Sequence, residues 1–443
     1  MRRLTILLIG VLWMPASVLA QGTSASLRLT LDEAVSRAQQ ASHRVGELRA
    51  REDGARAVRA GRQAADLPQV SVQAGYTRTN HVDEFGIAMP NKPFQAIYPD
   101  IPNNYRARLD LQWPIYTFGR TAALERLAQA ELEASGKDIE SARADLTLEV
   151  TRAFWAVVTA GESVRVLEES LKRMDAAVLD MQNRLKVGLI PPNDVLSMQA
   201  QRSRQQMLLI QARNQRDVVV ADLARLVGAP PDTRVEPAAV LEQAPVPQAT
   251  VDALVAEARQ ARPERQALVK RVAEAGERRQ AAEANTRPVI AVGAGLDYAR
   301  PNPRIFPRIA DWRTSWDASI NFSWLLWDGG RVKADIADAA AGARALGERL
   351  AEFDRVLEVE VRQRWLDVQS ARAAIDAATD AVTAATEARR VVNERYQTGV
   401  ATSTDVLDAQ VALLQAELDR TQAQATSRLA DARLARAVGK QGR

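Results

Sequence analysis

The side chains able to do chemistry are few in this chain, and their types narrow the possibilities quickly. Cysteine is absent, and histidine occurs twice, as His43 and His81. Without thiols there is no disulfide framework, thiolate zinc site or lipidated N-terminal cysteine. Two isolated histidines supply neither a hydrolytic triad nor a histidine-rich metal site, and they read as ordinary surface residues. The run VGAGLDYARP from Val292 superficially matches a nucleotide loop. It lacks the third glycine and runs into Pro301 instead of a helix, so it is rejected as a phosphate cradle. The expectation is a chain with no catalytic group, no metal site and no cofactor.

What stands out instead is a pair of short runs that join a glycine to a carboxylate. Lys186 to Leu196 reads KVGLIPPNDVL, and Tyr396 to Gln410 reads YQTGVATSTDVLDAQ. In each, the pattern G-x5-D-V-L places an aspartate, Asp194 or Asp405, in the first turn of a helix. A carboxylate there is favourable against the helix dipole, by roughly 0.3–1 kcal/mol. Asp408 lies three residues beyond Asp405 on the same face, where capping explains it less well. Close carboxylates raise one another's pKa and attract cations. Leu189, Ile190 and Val400 set small apolar groups beside Gly188 and Gly399. Such groups staple a turn or, left in solvent, offer burial to a partner.

These runs come in a pair because the chain is written twice. WPIYTFGR from Trp113 answers WLLWDGGR from Trp324, LKVGLIPPNDVL from Leu185 answers YQTGVATSTDVL from Tyr396, and LVGA at 226 answers AVGK at 437, all at an offset of 211 residues. Upstream the offset is 220: LDEAVSRAQQ from Leu31 answers VDALVAEARQ from Val251, and Pro68 answers Pro288. A unit this long exceeds the roughly 20–50 residues of a solenoid repeat. It reads as one domain duplicated in tandem, over 21–228 and 250–439, with the proline-rich stretch 229–249 as a linker.

Each copy contains the same elements. Residues 31–65 and 251–285 are helix-like, with no proline except Pro263. Then the period becomes two. Val70, Val72, Ala74 and Tyr76 alternate with Gln69, Ser71, Gln73, Gly75 and Thr77. Tyr105, Ala107, Leu109, Leu111, Trp113 and Ile115 alternate with Arg106, Arg108, Asp110 and Gln112. This predicts strands at about 68–78 and 105–117, each with an apolar and a polar face. The second copy keeps the phase through Ile290, Val292, Ala294 and Leu296, then Trp316, Ala318, Ile320, Phe322 and Trp324, giving strands at about 288–298 and 312–327. After Gly119 and Gly330 the period turns helical, and 119–187 and 330–398 hold no proline over 69 positions. At 1.5 Å per residue each would run roughly 100 Å. Gly188 and Gly399 end these helices as αL caps. Shorter helices follow at about 193–228 and 404–438, with Asn193 and Thr404 as expected N-caps. The tips fall at about 186–196 and 397–407.

Composition adds exclusions. The net charge is +4 over 443 residues, with charged residues at 26% and both signs interspersed, so no basic patch for nucleic acid stands out. Residues 1–20 read as a secretory signal peptide: Arg2 and Arg3, an apolar run from Leu4 to Trp13, then the small residues Val18 and Ala20. The expected strands are long enough for a tilted crossing of an outer membrane, which takes roughly 9–11 residues. Apolar-out, polar-in alternation with aromatics at the strand ends is the signature of a membrane barrel. The expected lipid-facing side chains are Val70, Val72, Leu109, Leu111, Trp113, Ile320, Phe322 and Trp324. Four strands cannot close a barrel, and open edges cannot sit in lipid. The chain must therefore oligomerise, and the charged inner face favours three copies, wide enough to leave a lumen, over two.

The duplication, the strand–loop–strand–long-helix order and the two tips KVGLIPPNDVL and YQTGVATSTDVLDAQ together resemble the TolC family of outer-membrane efflux proteins, across the whole chain after the signal segment. The resemblance implies a mainly α fold with a small transmembrane β part. A tandem-duplicated protomer would form a homotrimer with a twelve-stranded barrel in outer-membrane lipid. Long coiled-coil helices would make a tunnel across the periplasm of a Gram-negative cell, closed at its far end. It also implies that the tips Gly188, Leu189, Ile190, Gly399 and Val400 dock onto a periplasmic adaptor, or membrane fusion protein, that couples to an inner-membrane transporter. Acids matching Asp405 and Asp408 ring the closed entrance in the family, Asp194 belongs to the same tip region, and Tyr396 matches a tyrosine that bonds to the neighbouring helix pair. Ala401 departs from the family pattern, which has an arginine there, and leaves an inter-helix salt link without its cation. The implied function is passive conduction of small molecules or drugs in a tripartite pump. The exit duct of a type I protein secretion system is the alternative. A periplasmic coiled-coil scaffold without a pore would leave the alternating strands unexplained.

Overall fold

A computed structural model describes residues 26–91, 93–230, 233–239, 241 and 249–440. The expected signal peptide 1–20 and much of the expected linker 229–249 lie outside the described residues. In chain order the elements are β1 (Ser26–Leu29), α1 (Leu31–Ala41), α2 (His43–Ala64), β2 (Gln69–Arg78), β3 (Phe85–Ile87), β4 (Gln95–Tyr98), β5 (Asn103–Tyr116), α3 (Arg120–Lys186) and α4 (Pro192–Leu226). The second copy follows with β6 (Arg234–Pro237), α5 (Val251–Ala261), α6 (Pro263–Ala284), β7 (Val289–Arg300), β8 (Arg313–Ser323), α7 (Arg331–Gln397) and α8 (Ser403–Val438).

Several details differ from the sequence reading. The helical stretches 31–65 and 251–285 are each broken once. Pro263 is the first residue of α6 and pushes Arg262 out of the helical region, to φ −66° and ψ 117°. In the first copy Ser42 takes the extended conformation instead, and its hydroxyl accepts the Val45 N–H at 3.3 Å. The linker is not only a spacer: β6 pairs in parallel with β1, matching Leu27 to Val235. Trp324 lies just beyond β8 and outside the ladder. Its indole N–H donates to the Thr286 carbonyl at 3.0 Å, as that of Trp113 donates to the Asp66 carbonyl at 2.9 Å. The two bonds are related by the duplication, and each ties a strand to the turn that follows a helix.

The chain divides into two compact units. One draws on 1–41, 150–242 and 380–425, the other on 42–149, 243–379 and 426–443. The second holds a four-stranded antiparallel sheet in the order β2-β5-β7-β8. Register puts Val70 opposite Leu111, Val72 opposite Leu109, Trp113 opposite Val292, Ile320 opposite Val292 and Phe322 opposite Ile290, so these side chains share one face. A separate apolar cluster joins Leu254, Val255 and Ala258 of α5 to Leu357, Val361 and Val368 of α7 and Leu434 and Val438 of α8. The first unit is held by Val164 and Leu167 of α3 against Leu209 of α4 and Leu414 of α8, and by a methionine-rich cluster described below. Among the described residues no helix is long and apolar enough to cross a membrane.

A buried ionic cluster locks the helices of the second unit together. Arg436 of α8 pairs with Asp145 of α3 at 2.7 Å and with Glu264 of α6. Arg262 bonds Glu264 at 2.9 Å, approaches Glu360 of α7 at 3.2 Å, and donates to the Ala437 carbonyl at 2.9 Å, where the α8 backbone needs donors. Burial alone would raise the Glu264 carboxyl, but the hydrogen bond from Arg436 and the charge of Arg262 outweigh it and hold the pKa down to about 2. A depressed carboxyl stabilises the fold above its ordinary value of 4.5, and that contribution is lost as pH falls from there through about 2. Glu264→Gln should therefore flatten the acid loss of thermal stability in detergent over this window. Arg436→Met takes one cation from each of two carboxylates and should cost about 1–3 kcal/mol, less than breaking a fully buried pair, because Glu264 keeps Arg262 and Asp145, 41% exposed, keeps Arg44 at 3.7 Å. An acid profile unchanged in Glu264→Gln would show that this cluster does not set it.

Candidate functional site

The two tips are closed by the same backbone device. After α3, Gly188 has φ 75°, its N–H reaches the Leu185 carbonyl at 2.9 Å, and the Leu189 N–H reaches Arg184 at 2.9 Å. After α7, Gly399 has φ 77°, with bonds from Gly399 to Tyr396 at 3.1 Å and from Val400 to Arg395 at 2.8 Å. Both are Schellman closures, which favour glycine because φ is positive. Nothing lies within 4 Å of a Cβ placed at either glycine, so the constraint is conformational and the surrounding space is open.

The apolar tip residues divide. Leu189 and Val400 point to solvent, 70% and 65% exposed. Ile190 turns inward against Met174, Val178, Met181, Val195 and Met198, and so acts as the staple of its turn. Tyr396 and Leu407 pack on that same cluster, which joins the α3–α4 and α7–α8 hairpins. The Arg184 guanidinium lies over the Tyr396 ring, 4.7 Å from its centroid. The Tyr396 hydroxyl itself is buried without a hydrogen-bond partner among the described residues, and burial pushes its pKa up. Tyr396 thus meets the neighbouring hairpin through its ring face.

The acids have three different environments. Asp405 belongs to a capping box: its carboxylate accepts the Thr402 N–H and hydroxyl, each at 2.8 Å, while its own N–H donates to the Thr402 hydroxyl at 3.2 Å. Thr402, not Thr404, is therefore the N-cap of α8. The Thr402 backbone N–H, and then its hydroxyl, hold the Asp405 carboxyl below its ordinary range, opposite to the rise that crowded carboxylates would cause. Asp194 accepts the Ser403 hydroxyl at 2.6 Å and so bonds one tip to the other. Asn193 is not the N-cap of α4; Pro191 is, with Pro192 as the first helical residue, and Asn193 donates to Asp194 at 3.0 Å. Asp408 is exposed and has no polar partner among the described residues. Ala401 donates its N–H to the Arg395 carbonyl at 3.2 Å. The Thr-x-x-Asp spacing of the capping box was readable in the sequence. The Ser403–Asp194 bond and the Arg184–Tyr396 contact, each between distant segments, had no local signal.

The sheet supplies the other candidate surface. Val72, Phe322 and Ile320 are 72%, 63% and 76% exposed on its apolar face. The opposite face carries a charge network: Arg106 bonds Asp297 at 2.6 Å, while Arg108 bonds Asp110 at 2.7 Å, Asp317 at 3.1 Å, and Asp297 as well. Gly295, from the rejected nucleotide-like run, lies beneath this network. A Cβ there would collide with the Arg108 guanidinium, so the glycine clears space for an arginine. Replacing Thr402 by Ala removes the capping box and should cost about 1 kcal/mol. Faster amide exchange at Asp405 and Val406, with the α3–α4 hairpin unaffected, is the expected result; unchanged exchange would remove the box from the account of this helix start.

A family model of outer membrane efflux proteins matches residues 34–229 and 254–440. Protein CyaE of Bordetella pertussis (strain Tohama I) is 26% identical over 315 residues, 70% of this chain and 65% of CyaE, so the match spans slightly under two thirds of that curated relative. Among solved structures, the outer membrane protein VceC of Vibrio cholerae gives a TM-score of 0.77 at 20% identity, covering 93% of this chain and 96% of its own. The MtrE outer membrane channel of Neisseria gonorrhoeae, solved in an open state, gives 0.76 at 18% identity, covering 93% and 89%. At these identities the structural likeness carries the fold, while the family match covers most of the sequence: this chain belongs to the outer membrane efflux protein family.

Proposed function

We propose that this protein is the outer-membrane duct of a tripartite export pump, conducting small molecules passively from a periplasmic adaptor to the exterior. The observation that carries the reading is the four-stranded sheet, with β2 and β8 at open edges, one face apolar and exposed, and the other charged. Hydrocarbon cannot satisfy the backbone groups of an open edge. β8 of one copy pairing with β2 of the next satisfies both edges, and three copies close a twelve-stranded barrel with the Arg–Asp network toward water. The α7 side chains Val356, Val359 and Leu366, 56%, 65% and 59% exposed in the single chain, then gain neighbours on adjacent copies. The helices extend into the periplasm. Leu189 and Val400 supply apolar docking points for the adaptor, and energy comes from the inner-membrane transporter. The chain acts as a conduit and not as an enzyme.

Two measurements test this reading. Leu111→Arg and Phe322→Arg each place a cation on the face assigned to lipid, at a cost of roughly 2–4 kcal/mol near the bilayer midplane. The yield of heat-modifiable trimer from outer-membrane fractions should fall for both, and a normal yield from both would reverse the facing of the sheet. The second concerns the entrance. Asp408, exposed and unpaired, should carry more of the cation preference and multivalent-cation block than Asp405, which Thr402 holds. Planar-bilayer recordings should show a larger loss in Asp408→Asn than in Asp405→Asn and the largest in the double variant. Wild-type selectivity in the double variant would take both acids out of the gate.

A further inference from the structure

The segment between β7 and β8, residues 301–312, folds back over the sheet. Asn302 is buried at 2% exposure, and its side-chain amide donates to the Arg313 carbonyl and the Ser315 hydroxyl, each at 3.0 Å, while its oxygen accepts the Arg304 N–H at 2.9 Å. Arg304 then donates to the Trp316 carbonyl at 2.8 Å and pairs with Asp317 at 3.2 Å. Pro303 and Arg308 enclose, with Gln73, Thr77, Arg106 and Arg108, a cavity of about 340 Å³. Strand parity decides the side. Asp317, Gln73, Thr77, Arg106 and Arg108 all belong to the polar face, opposite Val72, Leu109 and Phe322. Residues 301–308 therefore lie over the charged face, while Trp312 at the end of the segment stacks on Tyr298, 4.8 Å between ring centroids, on the apolar one. Both lie at the end of the strands away from the helices, since α2 and α6 lead into β2 and β7, and α3 and α7 leave from β5 and β8.

The charges there are unequal. Arg106, Arg108 and Arg304 are paired with Asp297, Asp110 and Asp317. Arg308 has no carboxylate partner among the described residues. It donates to the Tyr98 hydroxyl at 3.0 Å, with its guanidinium 5.3 Å from the Tyr98 ring centroid, which also fastens the segment to β4. We propose that residues 301–308 form an inward-folded collar that narrows the outer mouth of the duct, with Arg308, which no ion pair joins to Asp311 three residues on, as its uncompensated cation, so that the mouth beside it favours anionic solutes. The proposal rests on the reading that the polar face lines the lumen. Three copies would set three such guanidinium groups around one opening. At 0.1 M salt the screening length is about 10 Å, so a cation in a narrow water-filled mouth still acts on passing ions. A guanidinium suits carboxylate and phosphate groups in particular.

The chain has no cysteine, so a single introduced thiol reports alone. Thr77→Cys places one beside Arg308 in the cavity. In intact cells it should react faster with an anionic than with a cationic methanethiosulfonate, and adding Arg308→Gln should lower that rate ratio by about threefold. A ratio unchanged by Arg308→Gln overturns the charge assignment. The collar is tested separately with Ser71→Cys, on the same face nearer the helices, and a maleimide-linked polyethylene glycol. Arg304→Ala, and independently Asn302→Ala, should speed its labelling several-fold, and equal rates in both variants would overturn the collar. If Thr77→Cys is inaccessible to every reagent in intact cells although trimer is present in the outer membrane, the lumen reading itself fails, an outcome distinct from either.

Discussion

The constraint on which the rest of the structure depends is the backbone of an open sheet. Each repeat contributes one hairpin, and the two hairpins join through β5 and β7, leaving the outer ladders of β2 and β8 without partners. In water those groups would be solvated. Under the proposed reading, beside an apolar face that includes Val72, Ile320 and Phe322, they would face hydrocarbon, where an unmet N–H or C=O costs several kcal/mol. No rearrangement within four strands removes both edges. The duplication thus halves the problem without solving it, and under that reading the apolar face and the unmet edges together call for association of copies.

The helical parts answer a different demand. α3 and α7 run 67 residues each, far beyond the ordinary globular helix, and propensity alone does not hold such lengths in register. Apolar clusters and the Arg436–Glu264–Asp145–Arg262 cluster supply the lateral ties. The ion cluster is weak evidence for net stability, since desolvation offsets much of its attraction. Its geometry argues for placement: Arg262 meets the final carbonyls of α8 while its acid partners lie on α6 and α7. The first copy has Ser42, His43 and Arg44 at the positions of Arg262, Pro263 and Glu264. The two halves solve the same helix break by different chemistry, a hydroxyl cap in one and a proline in the other.

The tips show the same divergence over a shared frame. The Schellman closures at Gly188 and Gly399 are nearly superimposable in their bonding, yet the following helix starts with Pro191–Pro192 in one copy and a Thr402–Asp405 box in the other. Asp194 and Asp405 occupy equivalent positions and do different work, one bonding across to Ser403 and the other closing its own turn. Asp408 has no counterpart bond and keeps its charge available to solvent.

The sequence by itself determined the duplication, the strand faces, the long helices and the glycine closures, because each is written in local spacing: period two, proline-free runs, and a glycine where φ must be positive. It also contained the capping box, as Thr402 and Asp405 three residues apart. Tertiary structure decided what local spacing cannot encode. It paired β6 with β1 out of an apparent linker, turned Ile190 inward while leaving Leu189 out, and moved Trp324 from the ladder to the turn at Thr286. It joined Asp194 to Ser403 and gave Gly295 its meaning, as the space beneath Arg108. The physical reason is the same throughout. Backbone conformation follows from neighbours along the chain, whereas burial, pairing and charge compensation depend on residues that sequence separation hides and folding brings within a few ångströms.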